Sequence, residues 1–111
     1  MRSPQEIARS PDLLVTMGGE DGGAFKVRYG RQWLKVIASW GRGWDHVSVS
    51  LDHRSPTWAE MEHVKRLFFR PDEVAMQLHV AESDHINLHP NCLHLWRSQN
   101  ESIPLPPKEL V

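Results

Sequence analysis

The stretch FKVRYGRQWLKVIASWGRGWDHVSVSL, residues 25–51, decides the fold, because its apolar residues recur at every second position between glycine turns. Phe25, Val27 and Tyr29 alternate with Lys26 and Arg28 before Gly30-Arg31-Gln32 turns the chain. In the next strand Leu34, Val36, Ala38 and Trp40 share one side, with Trp33, Lys35, Ile37 and Ser39 on the other, and Gly41-Arg42-Gly43 makes the following turn. The third strand sets Val47, Val49 and Leu51 against His46, Ser48 and Ser50. Three short strands with short turns predict an antiparallel meander that is apolar on one face.

Downstream, Thr57-Trp58-Ala59-Glu60 follows Pro56 as a capping box, in which the threonine oxygen accepts from a free backbone N–H and the glutamate reaches back to the cap. The helix it opens is expected to bury Trp58, Met61, Val64 and Phe68 against the sheet, with Phe69 falling beside Trp58. Glu62 and Arg66 stand at i and i+4, and Arg70-Pro71 ends the run. Two more strands are predicted, from Val74 to Val80 and from Cys92 to Arg97. Upstream, Ser3-Pro4-Gln5-Glu6 has the form of a helix start, with room for about two turns before Pro11. Gly18-Gly19-Glu20-Asp21-Gly22-Gly23 reads as a flexible linker or a hairpin loop.

The expected class is α+β, an antiparallel sheet of about five strands in the order β-β-β-α-β-β with one helix packed on one face. Residues 1–23 are read as a flexible or short-helical N-terminal segment, 24–100 as a single α+β domain, and 101–111 as an extended Pro-rich tail around Ile103-Pro104-Leu105-Pro106-Pro107.

Composition narrows the function. A chain of 111 residues closes one modest core, and a formal net charge of -1 offers no global field to draw it onto nucleic acid. Nucleic acid is therefore not an expected partner, although Lys26, Arg28, Arg31, Lys35 and Arg42 lie near Trp33 and Trp40, which could stack on bases. The lone Cys92 forms no internal disulfide, and no apolar run suits a signal peptide or membrane span, so the expected location is cytoplasmic.

Chemistry-bearing residues concentrate in QLHVAESDHINLHPNCLHLWR, residues 77–97, which holds His79, Asp84, His85, His89, Cys92 and His94. Strand parity is expected to gather His46, Ser48, Ser50, Gln77, His79, Cys92, His94 and Trp96 on the face away from the helix. Zinc ligands are available, but without Cys-x-x-Cys or His-Glu-x-x-His spacing, and Pro90 biases His89 out of a helix that would stack it with His85. The expectation is no metal and no cofactor. Cys92 could act as a nucleophile with His79, His89 or His94 as base, yet a single strand cysteine is more often inert filling.

His46-Val47-Ser48-Val49 resembles the His-x-Ser/Thr-hydrophobic motif of two-histidine phosphoesterases. The second copy is missing, since His79-Val80-Ala81 and His94-Leu95-Trp96 lack the hydroxyl. That resemblance implies a histidine acting as acid or base on a phosphate; on the histidine-bearing sheet face the corresponding hydrolase would use His46, His79 and His94 as acid, base or metal ligands and Ser48 as a phosphate contact. A wider resemblance runs from Ile37 to Val111. GWDHVSVSL, PTWAEM, VKRLFF, HINLHPNCLHLWR and IPLPP are similar to a family of small uncharacterised proteins encoded by tailed bacteriophages and prophages. It implies a phage origin, a host cytoplasm and an accessory role, and assigns no catalytic residue.

The leading expectation is a phage-encoded accessory protein that binds a phage or host protein and modulates a host process. Trp96, His79, His94, His85 and His89 are its candidate binding residues, and the expected cover for Trp96 is a homodimer, with the Ile103–Pro107 tail as the competing one. The alternative is the histidine-dependent hydrolase.

Overall fold

The computed structural model describes residues 1–19, 21–41, 44–75, 78–82 and 92–98. The strands are β1 (Leu13–Gly18), β2 (Gly22–Tyr29), β3 (Gln32–Trp40), β4 (Trp44–Ser50), β5 (Leu78–Glu82) and β6 (Cys92–Ser98). The helices are α1 (Pro4–Ala8), α2 (Trp58–Phe68) and α3 (Pro71–Ala75). All six strands form one sheet in the order β1-β2-β3-β4-β6-β5, each neighbouring pair antiparallel. The first four strands are the meander, extended by one at its start. After α2 and α3 the chain returns at the far edge as β5, and β6 inserts between β5 and β4.

Period-two alternation sets the two faces. Phe25, Val27, Leu34, Val36, Ala38, Val47, Val49 and Leu95 are all buried, and they join Ile7, Met61, Val64, Phe68 and Phe69 in one core. Phe25 meets Phe68 edge to face, with ring centres 5.3 Å apart. The turn between β2 and β3 needs Gly30, whose φ of 61° lies in the left-handed region that side chains disfavour.

The architecture is α+β, with more strand than expected. Residues 13–18, expected as part of a flexible or short-helical segment, form edge strand β1, which pairs antiparallel with β2 so that Gly18 lies opposite Gly23. Only Leu13 of β1 is buried, so the strand lacks the alternation that announces the others. The short helix opened by Ser3 is present with both arms of its capping box.

Four details of the second half depart from expectation. Trp58 is 65% exposed, whereas Met61, Val64 and Phe68 are buried. At ~100° per residue, Trp58 stands about a quarter-turn from the centre of that stripe. Phe69 does not fall beside it, because the chain leaves the helix there in an extended conformation, φ -114° and ψ 147°, which turns the ring into the core. Pro71 does not lead into a strand either. Proline suits the first turn of a helix, so it opens α3, and β5 starts only at Leu78. Glu62 pairs with Lys65 at 2.9 Å rather than with Arg66.

Residues ahead of α1 lie across the end of α2. The Arg2 N–H donates to the Phe68 carbonyl at 2.8 Å, and the Trp40 indole N–H donates to the Arg2 carbonyl at 3.0 Å. The Met1 amino group donates to Asp45 at 2.9 Å and also to Glu73, joining two buried carboxylates from β4 and α3. Among the described residues, no helix is long and apolar enough to cross a membrane.

Candidate functional site

Register determines which candidates meet on the face opposite the core. Ser48 of β4 sits directly opposite His94 of β6, and His46 opposite Trp96. Positions 79 and 81 of β5 pair with Trp96 and His94. Val47, Val49 and Leu95 point into the core, so His46, Ser48 and His94 project the other way, as parity requires. His79, Cys92 and Trp96 are placed by strand position alone, with Cys92 opposite Ser50. Gln77, His85, His89 and the tail from 101 to 111 lie outside the described residues.

The closest meeting of candidates is between His46 and His94. As diagonal cross-strand neighbours they bring His46 Nε2 to 2.5 Å from His94 Nδ1. The ring centres are 4.8 Å apart and the planes differ by 13°. The N···N distance plus one ring radius at each end accounts for that whole separation, so the imidazoles lie edge to edge, not face to face. Such an arrangement is an N–H···N hydrogen bond in which one ring carries the proton and the other accepts it.

Burial and charge act on this pair together. His94 is 4% exposed and His46 is half-buried. Desolvation, reinforced by the repulsion of a charge on His94, pushes the His46 pKa down from 6.5 to about 4. At neutral pH His46 is therefore an uncharged imidazole. Among the described residues, no group of three or more His, Cys, Asp or Glu side chains converges as a metal site would need.

The same face opens toward β1. The register aligns Met17, Ala24, Ile37, Ser48 and His94 in one row across five strands. Met17 is 71% and Ile37 55% exposed. Beside them is a shallow groove of about 260 Å³, lined by Thr16, Ala24, Lys26, Lys35, Ile37 and Ser48. Leu14 and Trp33 lie exposed near its end, the Arg28 guanidinium standing 6.0 Å from the Trp33 ring centre.

The cations grouped in the sequence are partly engaged. Arg28 pairs with Asp12 at 3.4 Å, and Lys35 pairs with Asp52. Trp40 is on the core side of the sheet, held by its indole N–H, and so cannot stack with Trp33 on one surface. Arg42 lies outside the described residues.

One strongly organised group escaped the sequence reading. Arg54 forks onto Glu60, with Nη1 to Oε1 at 2.7 Å and Nη2 to Oε2 at 2.8 Å, while the Thr57 N–H donates to Oε1 at 2.8 Å. The Arg54 hydrogen bond is the main reason the Glu60 pKa falls from 4.5 to about 2. The capping box marked Glu60, but nothing in the spacing marked Arg54. This cluster fixes the loop after β4 onto α2 and is structural.

Fold and face together define an α+β domain with one side of its sheet packed under helices and the other carrying a histidine pair and an apolar groove. Residues 36–100, more than half of the chain, match the family described as a domain of unknown function, DUF7694, and the chain belongs to that family. No curated protein and no solved structure matches it.

Proposed function

We propose that the protein is a binding module whose working surface is the sheet face away from α1, α2 and α3. The observation that carries this reading is the exposed row of Met17 and Ile37 beside the groove, on the side opposite the helix-packed core. Large apolar side chains grouped on a polar-rimmed surface are what protein interfaces use, and burying them removes apolar area from water. The partner is a phage or host protein, a reading supported by the resemblance to phage-encoded proteins, and modulation of a host process is the role that follows from it. A homodimer through this face is the same proposal with a second copy as partner.

Tagged protein incubated with lysate from phage-infected cells tests the reading. Wild type should retain a specific partner, and Met17→Asp with Ile37→Asp should lose it while keeping the far-ultraviolet spectrum. Retention by the double variant would refute the assignment of the face. Hydrolysis is the second reading, favoured by the imidazole pair with Ser48 directly opposite His94. Its test is cleavage of a chromogenic phosphodiester that His46→Gln abolishes.

A further inference from the structure

We propose that the free edge of β1, together with α1, takes an extended apolar peptide segment as an additional strand of the sheet. This site is separate from the face discussed above and does not depend on it.

The first observation is the edge itself. β1 ends the strand order, and its sequence LLVTMG contains neither a charge nor a proline, the usual devices that blunt a sheet edge. Its backbone directions follow from the ladder. The Arg28 N–H donates to the Asp12 carbonyl at 2.7 Å, which makes that pair a hydrogen-bonded one. Antiparallel pairs alternate, so Leu14 faces Lys26 in the next bonded pair, and the N–H and C=O groups of Leu13 and Val15 point off the sheet. Among the described residues nothing pairs with those groups. The bulge between Val15 and Met17 ends the regular stretch and so fixes where an added strand can dock.

The second observation is a crevice beside this edge. Between α1 and the start of the sheet lies a cavity of about 210 Å³, lined by Pro4, Ala8, Val15, Gly18, Phe25 and Trp40 among others. Small-molecule pockets begin at about 300 Å³, so this one suits a side chain better than a separate ligand. Among the described residues, no charged one lines it. Val15 is 48% exposed at its rim and shares the core side of the sheet with Phe25.

Edge and crevice specify one kind of occupant. The row of backbone groups selects an extended main chain, and the apolar crevice selects a leucine- or valine-sized side chain on the residue that lies over it. Backbone pairing for affinity and an alternate-side-chain pocket for specificity is the logic of strand addition.

A random heptapeptide display library selected on the full chain tests this, followed by titration of the enriched peptides. Enrichment of extended sequences with one apolar residue at a fixed position is expected, with micromolar binding. Val15→Pro removes an outward N–H without touching the bonds to β2, and should weaken binding tenfold or more. Ala8→Trp, which fills the crevice from α1, should do the same. Ile37→Asp on the other face should leave peptide binding unchanged, so failure here and failure of the proposed function are distinguishable. Absence of any such consensus, or equal binding by Val15→Pro and Ala8→Trp, overturns the proposal. A wild-type dimer that Val15→Pro converts to monomer would assign the edge to a second copy and overturn the peptide.

Discussion

Acid should destabilise this protein through His46. The folded state holds the His46 pKa near 4, whereas an unfolded chain restores about 6.5. A group with a depressed folded pKa contributes stability that is complete above the unfolded value and disappears as pH falls through the folded one. The window is therefore pH 6.5 down to about 4, in which the unfolded chain takes up a proton that the native state refuses. A shift from 6.5 to about 4, at ~1.36 kcal/mol per unit, sets the loss at roughly 3 kcal/mol. Because His46 and His94 share a hydrogen bond, the loss belongs to the pair and follows the step at which the pair must take a second proton.

Urea denaturation at pH 7, 5.5 and 4 measures this directly. His46→Gln cannot be protonated and breaks the pair, so the wild-type minus variant difference reports the contribution of the His46–His94 pair. The difference should move by about 3 kcal/mol in favour of the variant between pH 7 and 4. Parallel profiles for the two proteins would refute the claim that His46 is held neutral.

Glu60→Gln should cost about 2 kcal/mol at pH 7, less than the full shift from 4.5 to about 2 implies, because Arg54 is 36% exposed and can turn to water. Since the folded pKa is depressed, that contribution is present above about 4.5 and lost as pH falls toward 2, so urea profiles of wild type and variant should converge in that range. Met61→Ala should lose roughly 2–5 kcal/mol by leaving a cavity, whereas Trp58→Ala, at a residue 65% exposed, should change stability by no more than about 0.5. Elemental analysis of the purified protein should find no stoichiometric zinc or iron, and about one metal per chain lost on replacing His85 and His89 would reverse this expectation.

Elements that bury a full face were legible in advance. β2, β3 and β4 follow from alternation, and α2 from its capping box and apolar stripe, because in each the local signal and the tertiary burial agree. β1 was not legible, since an edge strand with one buried residue carries no period. Trp58 misled for a related reason: hydrophobicity marks a helical face only to within a quarter-turn, and a tryptophan at its flank reads as core. On the site, parity sufficed to place His46, Ser48 and His94 on one face. That His46 and His94 bond to each other was beyond sequence, because diagonal proximity depends on which strand neighbours β4. That neighbour is β6, with β5 at the edge beyond it.

The imidazole pair bears differently on the two functional readings. A general base works best with a pKa near the operating pH, and a histidine held near 4 is a weak base at pH 7. Desolvation and a charge on His94 both keep it there, so the unliganded face is poorly tuned for hydrolysis. A bound phosphate ester would reverse the second cause, since its negative charge beside the rings favours the protonated form. The hydrolase reading thus requires the His46 pKa to climb toward neutrality when such an ester binds. Binding of a protein on the Met17–Ile37 side requires no change in it. Imidazole resonances followed against pH, with and without a phosphodiester, separate the cases: an unmoved midpoint leaves the pair as a structural clamp joining β4 to β6, and the groove as the part of the face that works.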